Sequence, residues 1–320
     1  MNTSNVSNAI TKEDLNAQLE FMSKRVLDPK VGLYGPGSMA WEVHKQTSVL
    51  FGAGAANLLQ LAHPWVSQAI DQHSETQNDP LGRLRRTFLN VHSMVFGSLD
   101  QVLDSAMKVH NIHASITGEV SETTGSFEKG SSYVANQVDA MLWVHATLWV
   151  IGLEVYELFH QPVTKEQRDQ YYEESKLFAY LFGVPDDAIP ETWEDFMKYF
   201  NDTVASDQLA VGDVGKQLVS FIFHMNPVLR PFLARHEIHT AVLLPPRLQV
   251  AFGLPKVTSR VQAKFDFDVK MLKSIFNHSP DSVRFLPPYL EALQRIKGAE
   301  AKWYTKLTNQ VVYGQAHLVS

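Results

Sequence analysis

The chain contains no cysteine. That excludes disulfides, Cys-ligated zinc, Cys-held iron–sulfur clusters, thiolate-ligated haem and a cysteine nucleophile. Any transition metal would have to lean on the 13 histidines or on carboxylates. Charge is also scarce. Only 19% of the 320 residues are charged and the formal net charge is −6, which argues against a nucleic-acid backbone as partner. The N-terminal stretch MNTSNVSNAITKEDL lacks the basic and apolar regions of a signal peptide. The apolar runs around residues 48–62 and 140–153 fall short of the roughly 20 residues that span a bilayer. On this reading the protein is soluble and cytoplasmic, with no transmembrane segment.

Strand patterns are almost missing too. There are no sustained period-2 runs and no Asn-Gly or Asp-Gly hairpin signals, so the expected class is all-α. Thr11 caps a helix over 12–27. Ser38 opens a long apolar helix to about Ala62, and Pro64 suits the first turn of the next. Further helices are expected over 81–96, 99–116 and 136–160. The polar, Gly/Ser-rich stretch 118–132 reads as a loop between the last two. Thr164 and Gln167 form a capping box for a helix to about Phe182. Prolines at 227, 231, 245–246, 255 and 287–288 punctuate the remainder. No repeat or linker appears. One all-α domain over 11–304 is expected, with a disordered tail at 1–10 and a C-terminal tail at 305–320.

Four clusters could carry chemistry. Gly52-Ala53-Gly54-Ala55-Ala56 places two glycines in a presumed helix, each costing about 1 kcal/mol relative to Ala. Close helix crossing or close approach of a flat ligand would explain them. Arg83, Arg85 and Arg86 crowd four positions, and Thr87 shares a face with Arg83. They form either a solvated face or an anion clamp. His110 and His113 are spaced i,i+3. His145 sits in the most apolar helix, where an imidazole is costly unless hydrogen-bonded or coordinated. His63, before Pro64, reads as a helix-terminal histidine. Glu157 and His160 match half of a di-iron carboxylate site, but no second copy exists. Zincin, Walker, dinucleotide-fold and nucleophile-elbow motifs are absent.

Taken in order, WEVHKQTSVLFGAGAANLLQLAHPWVSQAIDQHS, RLRRTFLNVHSMVFG, VHNIHASITG, MLWVHATL and YYEESKLFAYLFGVP resemble the catalytic domain of the rubber oxygenases (latex-clearing proteins) and fungal ER-bound oxygenases. The resemblance covers roughly residues 30–255. It implies an all-α bundle with a globin-like pocket for haem b, and cleavage of C=C bonds of isoprenoid-like substrates by O₂.

By that resemblance His113 matches the proximal iron ligand and His145 a pocket histidine. Arg83 and Thr87 match the family's R-x-x-x-T motif on the distal side. Where rubber oxygenases carry Lys before that Thr, this chain has Arg86, which stays protonated and cannot cap iron. His110 stands where they carry Arg, and Arg247 matches an Arg tied to haem retention. The implied protein is a haem-dependent dioxygenase acting on a smaller hydrophobic substrate than rubber. A non-catalytic haem protein (gas sensor or carrier) and a metal-free binder of an apolar ligand are the alternatives. For a base that removes an allylic proton, Asp71 and Glu42 are the candidates.

Overall fold

The computed structural model describes residues 8–74, 79–224 and 228–318. The described residues form α-helices α1 (Lys12–Ser23), α2 (Met39–His44), α3 (Ala53–Leu61), α4 (Pro64–His73), α5 (Pro80–Phe96), α6 (Leu99–Ala114), α7 (Val138–Phe159) and α8 (Lys165–Leu181). They continue with α9 (Trp193–Ala205), α10 (Asp213–His224), α11 (Arg230–Leu243), α12 (Pro246–Ala251), α13 (Ser259–His278), α14 (Asp281–Arg284), α15 (Pro287–Ile296) and α16 (Trp303–Tyr313). The all-α expectation holds. A two-stranded antiparallel ribbon, β1 (Thr117–Glu119) and β2 (Ser132–Val134), bounds the expected loop between α6 and α7.

Helix α7 organises the fold. It is apolar all round, as a helix packed on every side must be. Met141, Trp149 and Leu153 join a core with Trp41, Phe96, Tyr171 and Phe178. Trp143, Val150, Val155 and Phe159 join a second core with Phe196, Phe223 and Phe265. The indole N–H of Trp143 donates to the Leu59 carbonyl at 2.9 Å, and that of Trp41 to Val95 at 2.8 Å. Both tryptophans are thereby buried without an orphaned donor. By length and composition α7 could cross a membrane, but 78% of its most apolar stretch is buried inside the fold.

Three expectations need correction. The helix expected from Ser38 to Ala62 is interrupted: α2 ends at His44, and Thr47–Gly52 is a 3-10 turn before α3. The cause is distant in sequence. The Lys45 carbonyl accepts from Leu286 N at 2.8 Å and Gln46 bridges Phe285, so this backbone pairs with another segment instead of continuing the helix. The tail expected at 305–320 carries most of α16, which packs on α5 and α15. Of the tail expected at 1–10, residues 1–7 lie outside the described residues. Ala9, however, bridges Gln137, and Ile10 is buried. Pro227 and residues 319–320 also lie outside.

Candidate active site

The glycines of the 52–56 segment have a structural explanation. A Cβ on Gly52 would lie 2.6 Å from Ile151 Cγ2 and 2.8 Å from Val155 Cγ2 on α7. A Cβ on Gly54 would lie 2.1 Å from Thr240 Oγ1 and 2.8 Å from His236 Nε2 on α11. Without side chains here, the segment wedges between α7 and α11.

Helices α5 and α6 form an antiparallel hairpin. Gly97 ends the first, and Ser98 caps the second in a capping box with Gln101. The tight connection folds α6 back along α5. Arg83 is half-buried and has no acid partner among the described residues. Burial, and next the charge of Arg86, pull it below the ordinary guanidinium value. It still carries its charge. Arg86 is exposed and pairs with the α5 cap Asp79 at 3.2 Å. Arg85 donates to the Val311 carbonyl of α16. Thr87 is exposed and donates to the Arg83 carbonyl at 3.1 Å. The arginine cluster thus divides: Arg85 and Arg86 have protein partners, and Arg83 has no acid partner among the described residues.

His113 is half-buried, and its Nδ1 is buried with no hydrogen-bond partner. Burial, then the nearby His110, lowers its pKa to about 4, so the ring is neutral at ordinary pH. His110 is held in place: the Asn136 amide donates to its carbonyl at 3.2 Å and lies 3.3 Å from its Nδ1. Ala135 N donates to the Ile116 carbonyl, and Ile116 N to His113, tying the end of α6 to the base of the β-ribbon.

His145 is fully buried, and neither ring nitrogen has a partner. Burial lowers its pKa to about 3. Its ring neighbours are Trp149, Phe178 and Phe196, with centroids 5.7–6.3 Å away. A neutral imidazole with two idle nitrogens in such a cage is an unpaid desolvation cost.

The remaining candidates differ in what they bind. Arg247 donates to the carbonyls of Val204, Ser206 and Leu209, pinning α12 to the segment after α9. Glu42 pairs with Lys45 at 2.5 Å, and Asp71 is exposed. Glu157 binds Arg168 and the Val163 N–H. His63 has a buried, unpartnered Nδ1. Surface hollows open elsewhere among the described residues. One, of about 570 Å³, runs along α6 past Met107, Asn111, Ile112 and Ser115. Another, of about 410 Å³, lies against α10 and α12.

One polar cluster had not been singled out from the sequence. Asp268 of α13 is buried, takes a two-pronged ion pair from Arg235, and lies 2.7 Å from His239 Nε2. Burial raises the Asp268 pKa, but the bonds from Arg235 and His239 outweigh it and hold the group below the usual carboxylate value. His239 stacks on Phe51, with centroids 4.4 Å apart. Arg235 and His239 are i,i+4 on α11, so the run ARHEIHT held the local half of the signal.

The family model described as "ER-bound oxygenase mpaB/B'/Rubber oxygenase, catalytic domain" matches residues 41–273. The chain belongs to this family. The match takes in Arg83, His113, His145 and Arg247, and ends within α13. An oxygenase catalytic domain places the activity among the oxidoreductases, with O₂ and a substrate to be oxidised. No curated protein and no solved structure matches the chain.

Proposed function

We propose that the protein is a haem b-dependent oxygenase that cleaves or oxidises a C=C bond of a hydrophobic, isoprenoid-like substrate. The observation that carries this reading is the orphaned, neutral imidazole of His113 in a chain of the oxygenase family. The donor set fits the cofactor in kind. Haem b needs a neutral imidazole for iron and a cation for its propionates. His113 offers the first, and Arg83, with no acid partner among the described residues, offers the second. When bound, haem would supply the redox chemistry for reaction with O₂.

The protein's own residues then have defined tasks. His113, at the end of α6, would hold the iron as a neutral ligand. Arg83 holds a carboxylate near the start of α5. His145 offers a polar contact in an otherwise aromatic enclosure, and the rings of Phe178 and Phe196 must give way for a ligand to reach it. Arg86 and Thr87 stand near Arg83 in sequence and would set the polarity of that approach, while His110, bonded to Asn136, supports the end of α6 that carries His113.

The test is to incubate haem-loaded protein with O₂ and a panel of polyprenyl and carotenoid alkenes, then seek carbonyl products by mass spectrometry. Aldehyde or ketone fragments from at least one alkene are expected. Retained haem with no oxidised product across the panel would contradict the oxygenase reading and favour a carrier or sensor.

A further inference from the structure

Helix α16 lies beyond the family match, which ends at residue 273. It is amphipathic in the wrong sense for a helix facing water. Thr305 and Asn309 are buried at 0% and 1% exposure, and Tyr313 is buried below them. On the outer face, Trp303, Leu307 and Val311 recur at i, i+4 and i+8 and are 75%, 54% and 63% exposed. An ordinary surface helix does the reverse.

The inverted face is held firmly. The Asn309 amide donates to the buried Glu291 at 2.7 Å, and Glu291 also accepts from Leu318 N. The Tyr313 hydroxyl lies 2.9 Å from His92 Nδ1 on α5. Arg85 of α5 donates to the Val311 carbonyl. On α5, Leu81 and Leu84 are also exposed and flank Arg85. The two helices therefore present apolar side chains on either side of that contact.

We propose that this face docks on an anionic lipid surface. Three observations select that occupant. Tryptophan is the side chain that best suits the boundary between headgroups and acyl chains, and Trp303 is the most exposed residue of the stripe. The neighbouring charge is net basic: Lys306 pairs with the one nearby acid, Glu300, at 3.2 Å, and Lys297 and Lys302 are left over, in a chain whose net charge is −6. The apolar residues the face offers, Trp303, Leu307, Val311, Leu81 and Leu84, are also few against the roughly 20–30 residues a side of a standard dimer interface. The docking is peripheral, through side chains of a folded helix.

The test uses the full chain with vesicles of phosphatidylcholine alone, or of equimolar phosphatidylcholine and phosphatidylglycerol. Flotation and tryptophan emission are the readouts. The mixed vesicles should float the protein and shift emission to shorter wavelength, and added salt should weaken both effects. Trp303→Ser should lower partition about tenfold and abolish the shift. Lys302→Gln and Lys306→Gln should each weaken binding roughly fivefold on mixed vesicles. Leu307→Ser gives a second, independent apolar truncation. Circular dichroism checks that each variant is folded. No flotation on either vesicle overturns the proposal, as does binding that survives both apolar truncations. Concentration-dependent dimers in light scattering that vanish in Trp303→Ser would also overturn it, assigning the face to a second copy.

Discussion

A Cβ placed on Gly54 would lie 2.1 Å from the Oγ1 of Thr240, far inside van der Waals contact. The contact fixes how closely α3 approaches α11. It also brings α3 against a polar cluster, since His236 and His239 flank Thr240 and His239 bonds Asp268.

Gly54→Ala should therefore destabilise the fold. Alanine favours helix by about 1 kcal/mol, but separating α3 from α11 costs more, roughly 1–3 kcal/mol. Urea denaturation of wild type and variant measures the difference. A variant as stable as wild type would show that the two helices separate freely.

Asp268→Asn removes the charge that Arg235 and His239 share. Breaking a buried pair costs roughly 3–5 kcal/mol, and the low end is expected because the Arg235 side chain is 44% exposed. Arg235→Ala should cost less, since His239 still satisfies the carboxylate. Equal losses for the two variants would contradict this ordering.

Acid should weaken the fold well above the carboxylate range. Burial lowers His44, His63, His113 and His236 to about 4, and His92 and His145 to about 3. Below the unfolded histidine pKa of about 6.5 the unfolded chain binds protons that the native chain refuses, so stability falls as pH falls. A group near 3 loses about 2 kcal/mol of contribution at pH 5. Thermal unfolding of haem-free protein between pH 7 and 5 should show a steep drop in Tm. A flat profile would mean that these rings are solvated.

His145→Leu separates packing from ligand binding. Both ring nitrogens lack partners, so an apolar replacement of similar size should leave haem-free stability unchanged or raise it. If His145 contacts the cofactor, the same variant should change its visible spectrum. An unchanged spectrum would reduce His145 to a packing residue.

Local chemistry was legible in the sequence and distant pairing was not. Thr11, Ser38 and Thr164 cap the helices expected of them because capping is decided within four residues. The break after α2 was hidden because Phe285 and Leu286, some 240 positions away, impose it. Helix α16 was hidden because its apolar stripe faces outward, leaving Thr305 and Asn309 where a core pattern should show Leu. In the candidate site, His113, Arg83 and His145 stood out by residue type in an apolar, charge-poor setting. The Asp268 cluster did not, since its partners are 29 and 33 residues apart with no fixed spacing. The division of the arginines, with Arg86 on Asp79 and Arg83 on no acid among the described residues, depends on side-chain geometry that spacing does not encode.

The most direct test of the central claim is haem titration of purified protein followed by visible absorption. Wild type should develop a Soret band that survives dialysis, and His113→Ala should lose it while His110→Ala retains it. A wild-type protein that takes up no haem, or a His113→Ala variant with an unchanged Soret band, would contradict the account.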